Sequence, residues 1–318
     1  MLRNIRVALV SPATWIATGG LFLALYYAHH YTKSAPISMT TLRAPVISVT
    51  HGGGPMPLLG APTQKQLAHS MRTRVPQILR TAEGSDASKR PSAIVLVTAH
   101  WETKKVQISS NKQHSLLFDY YGFPPESYKY TYDAPGSPEL AQKVQELLKK
   151  KHIPSELDDK RGWDHGVFVP MLLIHPKADI PIVQVSVLAS QDPAELYALG
   201  EALAPLRDAN IAIIGSGSAS FHNIRLMISG SQGDVMSEQR QRHWNQQVDN
   251  AVMQPDSAKR RAALLQWRNW DFAYEAHPRN GSEHFSPLVV CAGAAGDEAG
   301  KAWSDPFAEW EMRTYYWD

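Results

Sequence analysis

The chain has 318 residues, of which 43% are hydrophobic and 19% charged, a balance that excludes wholesale disorder and leaves room for one large α/β domain or two small ones. Its formal net charge of +2, with no Lys/Arg run interleaved with aromatics, leaves no electrostatic footprint for nucleic acid. The single cysteine, Cys291, excludes an intramolecular disulfide and a cysteine-based zinc motif, so any metal falls to His, Asp or Glu, and 13 histidines are at hand.

Residues 1–43 stand apart from the rest. Residues 7–28 are uncharged, Arg3 and Arg6 precede them, and no acidic residue occurs before Glu83. Such a run reads either as one membrane-anchoring segment with its basic flank on the cytoplasmic side, or as a leader addressing the chain to mitochondria or another organelle. Folding signals begin at Pro45, so residues 44–318 are expected to form the folded domain. Residues 46–50, 93–98, 182–187 and 211–214 are short Val/Ile-rich runs with little polar alternation, as in strands covered on both faces. Helical patterns separate them. Ser137-Pro138-Glu139 and Asp192-Pro193-Ala194-Glu195 are helix starts with a cap and an early proline, and residues 237–267 read as one or two helices broken near Pro255-Asp256. The alternation predicts an α/β fold: a single domain with a central, mostly parallel or mixed sheet flanked by helices. Residues 113–135 and 269–286, rich in Tyr, Pro, Gly and Phe, are loops of a length more often functional than idle.

Histidines follow the ends of the strand-like runs. Thr50 leads into His51-Gly52-Gly53-Gly54-Pro55, Thr98 into Ala99-His100-Trp101-Glu102, and Ile214 into a Gly/Ser stretch ending Phe221-His222-Asn223. Ligands of open α/β sheets bind beyond the carboxyl ends of the strands, so His51, His100 and His222 could converge there on one metal ion. Each alone reads as readily as a turn or packing residue. The glycine triplet lacks the Lys-Ser/Thr of a P-loop. A fourth element, Arg161-Gly162-Trp163-Asp164-His165-Gly166, precedes an apolar helix-like run, and His165 there either caps that helix or enters the site. By pattern alone Glu283-His284 is a polar cluster at a helix start. Tyr120, Tyr121, Phe123 and Tyr128 could wall an aromatic pocket, and His114 could touch a substrate.

Together these motifs resemble the class III extradiol ring-cleavage dioxygenases, in the DOPA 4,5-dioxygenase-like branch, over most of the chain from His51 to Pro287. The resemblance rests on His51-Gly-Gly-Gly-Pro55, Ala99-His100-Trp101-Glu102, Gly162-Trp163-Asp164-His165-Gly166, the stretch Gly215 to Asn223, and Glu283-His284-Phe285. It implies that a catechol and O2 react at one divalent metal ion, with the ring opened beside the two hydroxyl carbons. It implies His51, His100 and His284 as metal ligands, His222 as a fourth ligand or an acid/base, and His165 as an acid/base or substrate hydrogen-bond donor. Many class III enzymes use two His and one carboxylate, whereas the matching position here is His284, so Fe(2+) and Zn(2+) both suit the site. The competing readings are a zinc hydrolase of an amide or ester and a membrane-tethered binding module without activity.

Overall fold

The computed structural model describes residues 43–228, 235–308 and 310–318. Among them eight strands form one sheet: β1 (Val46–Thr50), β2 (Ala93–Thr103), β3 (Val106–Ser109), β4 (Ser155–Asp158), β5 (Ile182–Leu188), β6 (Ile211–Gly217), β7 (Lys301–Phe307) and β8 (Trp310–Trp317). Their order is β4-β3-β5-β2-β6-β1-β8-β7. The central four, β5-β2-β6-β1, are parallel, and antiparallel pairs join them to β3 on one side and β8 on the other. The sheet is therefore mixed with a parallel centre, and the fold is the expected single α/β domain.

The centre is parallel because its residues are apolar on both faces. Val46, Val95, Val97, Val183, Val185 and Ile213 join one core, and Ile47, Val49, Ile94, Leu96, Ile182 and Ile214 join the other. Alternate residues of each strand thus feed opposite layers. The second face is covered by α1 (Lys65–Ile78) and α3 (His165–Ile174). The first face carries α2 (Pro138–Lys150) and α4 (Pro193–Leu203), then, after α5 (Pro205–Asp208) and α6 (Ile224–Ile228), α7 (Val235–Val252) and α8 (Ser257–Leu265). The short α9 (Ala273–Ala276) leads to α10 (Ser286–Ala294), also on that face. Both predicted caps form: the Ser137 hydroxyl accepts from Leu140 N at 3.1 Å, and the Asp192 carboxylate from Ala194 N at 2.7 Å and Glu195 N at 3.2 Å. The break near Pro255-Asp256 falls between α7 and α8, with Asp256 capping α8.

The expectation of a membrane-anchored or organelle-addressed chain is corrected. Among the described residues no helix is long and apolar enough to cross a membrane. Residues 7–28, on which that expectation fell, lie outside the described residues, as does the expected boundary of the leader up to residue 42.

Candidate metal centre and cavity

The site is assembled at the carboxyl ends of the parallel strands. His51 follows β1 directly, and its backbone N–H donates to Gly217 O at 3.1 Å, across to the end of β6. His100 is not past a strand end, as its sequence context suggested, but inside β2. The β2–β5 register jumps from Thr98↔Ser186 to Glu102↔Val187, so residues 99–101 form a bulge that displaces His100 from the ladder. His165 is the first residue of α3, with Asp164 at the cap position. His284 lies just before α10, where Ser218 N donates to its carbonyl at 2.8 Å. That approach needs glycine, since a Cβ on Gly217 would lie 2.3 Å from His284 O. Gly166 is held likewise, with Thr98 Oγ1 only 2.6 Å from where its Cβ would be.

Five histidines meet here. The ring centroids of His51, His100 and His284 are 4.9, 5.2 and 5.0 Å apart, close to an equilateral triangle. His165 packs 3.9 Å from His100 and 5.4 Å from His51, and ligand atoms of His51, His100 and His165 all lie within 4.8 Å of one another. His222 stacks on His284 at 3.8 Å and 18°. The structure therefore brings together all five histidines of the family-like motifs, and puts His165 as near the His51–His100 pair as His284.

The hydrogen bonds orient the rings. The Ser216 hydroxyl donates to the Gly166 carbonyl, so towards His51 Nδ1, at 3.0 Å, it can only accept. His51 thus carries its proton on Nδ1 and has a bare lone pair on Nε2. The Asp119 carboxylate accepts from His165 Nδ1 at 2.7 Å and from the His165 backbone N–H at 2.9 Å, which leaves Nε2 of His165 free. The other Asp119 oxygen is 3.5 Å from His100 Nδ1. His51 Nε2 and His100 Nε2 face each other at 3.1 Å. His284 Nδ1 is 2.8 Å from Glu283 Oε1.

The electrostatics keep the rings of His51, His100, His222 and His284 neutral. Burial, and then the neighbouring imidazoles, pushes His51 and His284 well below the usual histidine range and His100 down to about 3. Burial alone takes His222 to about 4. Burial raises the Glu283 carboxyl. Asp119 is held below its usual value: burial opposes this, and the hydrogen bonds and charge of His165 outweigh it. Asp164 is raised by burial although Thr98, Arg161 and Gln184 all donate to it, at 2.8, 3.0 and 3.0 Å. Neutral imidazoles such as those of His51 and His100, whose Nε2 atoms face each other, fit a divalent cation, and the carboxylate and hydroxyl partners here are of the kind that fix the rings of metal-binding histidines.

Around the histidines, a cavity of about 490 Å³ runs between the loop after β1 and the β7–β8 hairpin, and His51, His222 and His284 form one wall of it. Of the aromatics expected to wall a pocket, Phe123 lines this cavity. Tyr120 packs on Phe123 and His165 with its hydroxyl on Ser127 O at 2.6 Å, and Tyr121 is 86% exposed. His114 stacks on Trp163 with its ring nitrogens 3.1 and 3.0 Å from the carbonyls of Arg161 and Asn111, a structural clamp.

The domain described as the catalytic LigB subunit of aromatic ring-opening dioxygenase matches residues 45–315. The chain belongs to the LigB family. A relative named dioxygenase tasH, from Hapsidospora irregularis, is 43% identical over 97% of this chain and 96% of its own length. A protein of Beta vulgaris named 4,5-DOPA dioxygenase extradiol is 35% identical over 79% of this chain and 87% of its own. A crystal structure of an uncharacterized Escherichia coli K12 protein superposes with a TM-score of 0.63 at 26% identity, covering 87% of this chain and 100% of that one. Membership makes the chain a dioxygenase of the ring-opening kind, with a histidine group able to hold a metal.

Sequence reasoning missed three parts of this LigB-family site. Asp119 holds a ring from a position with no motif of its own, Ser216 lies in the Gly215–Asn223 motif but was given no role, and the β7–β8 hairpin supplies part of the cavity wall. The signal for Asp119 was its place as the sole acidic residue within the aromatic stretch 116–125.

Proposed function

We propose that the protein is an extradiol dioxygenase that opens the ring of a catechol with O2, using Fe(II) held by His51, His100 and His284. The observation that carries this reading is the near-equilateral triangle of these three neutral imidazoles, of which His51 and His284 line the cavity. Fe(II), when bound, supplies Lewis acidity towards the catechol hydroxyls and the redox partner for dioxygen.

The chain's own residues do the rest. The cavity holds the ring beside the histidines and excludes water from it. His165, with Nδ1 fixed by Asp119, presents Nε2 as a proton acceptor or donor near His100. His222, neutral and stacked on His284, faces the cavity and handles the second proton.

The test has two parts. Protein loaded anaerobically with Fe(II), given catechols and then air, should consume oxygen and form a yellow ring-opened product, whereas Zn(II)-loaded protein should not. His51→Ala, His100→Ala and His284→Ala should each lose the metal. His165→Ala and His222→Ala should keep about one equivalent while turnover falls by roughly 10²–10⁴-fold. No oxygen uptake across a broad catechol panel, with iron content confirmed, would end the reading. Metal loss in His165→Ala with retention in His284→Ala would exchange their roles.

A further inference from the structure

We infer that the substrate is a catechol carrying an apolar substituent, which occupies the chamber between the loop after β1 and the β7–β8 hairpin. This rests on the proposed catechol chemistry and specifies its substrate class.

The chamber's position follows from the sheet. β8 runs antiparallel to β1 with Val46↔Trp317, Ile47↔Tyr316 and Ser48↔Tyr315, so the start of β8 extends past the carboxyl end of β1. The Thr50 hydroxyl donates to Arg313 O at 3.4 Å, which carries the same register to the edge of the site. Met312 and Trp310 therefore arrive abreast of the His51 loop. With Met56, Phe123, Ile224 and Phe307 they give the chamber its apolar walls.

No charged side chain lines it among the described residues. Two of its polar side chains are turned to the protein. Gln64 accepts from Gly53 N at 3.1 Å and donates to Met56 Sδ at 3.5 Å, and Ser218 donates to Met312 Sδ at 3.8 Å. A zwitterionic amino-acid side arm would lose its hydration here with nothing to replace it, a cost of several kcal/mol for an unpaired charge. An alkyl or other hydrocarbon arm is stabilised by the same walls. At about 490 Å³, the chamber falls in the range that buries whole drug-sized ligands, so a bare catechol leaves much of it unfilled. On the far side of His222 a separate depression carries Arg225 and Arg279, which would suit a carboxylate-bearing arm instead.

The experiment is anaerobic calorimetric titration of the Fe(II)-loaded protein with catechol, methyl-, propyl- and hexyl-substituted catechols, and DOPA, with oxygen uptake measured in parallel. Kd should fall roughly three- to fourfold for each added methylene until the chamber is full. DOPA should bind more weakly than the propyl compound. Met312→Leu should keep the gradient and Met312→Glu should flatten it. Catechol and DOPA that bind and turn over, with affinity flat along the alkyl series or with DOPA the tightest, would overturn this inference alone and point to the arginine side. If no catechol binds and no oxygen is consumed, the proposed function falls, and this inference with it.

Discussion

Asp119 illustrates how little of a site need be written in a motif. It sits 46 residues before His165 in the chain, in a loop, yet one carboxylate accepts two hydrogen bonds from that residue and lies beside the His100 ring. His51, His100 and His222 were legible because each follows an apolar strand-like run, and His165 and His284 because their motifs resemble those of the family. The roles of Asp119 and of Ser216 were not, because what marks each is the partner it finds in space. The carboxylate fixes the tautomer of His165, and its other oxygen, 3.5 Å from Nδ1, orients the proposed ligand His100. Asp119→Asn should therefore weaken metal binding about 10–100-fold, as loss of such a partner commonly does, and lower turnover further. Chelator competition measures the first effect and single-turnover kinetics the second. Wild-type values in both would show that Asp119 leaves the rings unaffected.

At the scale of elements, the four runs read as buried strands became β1, β2, β5 and β6, because a strand covered on both faces has no room for polar alternation. The elements missed were those with weaker signals. β3 and β4 are four residues each, with β4 largely at the surface, and β7 carries Pro306 within it. The bulge in β2 was illegible because it is a property of pairing with β5, and it changes the account of how His100 reaches the site. The loop 269–286 holds a second kind of histidine. His277 is fully buried among Trp244, Trp267 and Phe285, with ring centroids at 5.4, 6.1 and 5.0 Å, and burial lowers it to about 3. The unfolded chain takes up this proton near pH 6.5 and the folded chain does so only near 3, so in that window the unfolded state binds more protons. Stability is complete above pH 6.5 and is lost as pH falls towards 3, with a slope of up to about 1.4 kcal/mol per pH unit for one group. His277→Phe should reduce the acid slope of unfolding free energy by about one proton's worth between those limits. Urea denaturation at several pH values reads it, and an unchanged slope would show that His277 charges without unfolding the loop.

Across the whole molecule, the two ends of the sheet do different work. The carboxyl ends carry the histidines, and the amino ends are tied by buried arginines. Arg207, with no exposed surface, donates from Nε to Ala44 O at 2.8 Å, from Nη1 to Ala295 O at 2.7 Å and from Nη2 to Glu298 at 2.8 Å. It thereby joins the entry to β1, the exit of α10 and the segment before β6. Arg260, equally buried, donates to the carbonyls of Gln254, Ala292, Gly296 and Glu298. The α/β class and layer order followed from periodicity, but these ties did not, because a lone arginine in sequence reads as surface. Arg207→Met keeps a long apolar stem while orphaning three buried carbonyl oxygens and part of the Glu298 pairing, and Arg43 still reaches Glu298 at 2.9 Å. Breaking such a buried pair costs about 3–5 kcal/mol, so the urea midpoint should fall accordingly. Metal affinity of the protein that remains folded should stay at the wild-type value, because the site lies at the other end of the strands. Asp119→Asn should give the reverse pattern, and the double variant should show both effects with little coupling, as expected for distant sites. If Arg207→Met weakens metal binding as much as Asp119→Asn does, the two ends of the sheet are coupled and the division of labour between them is wrong.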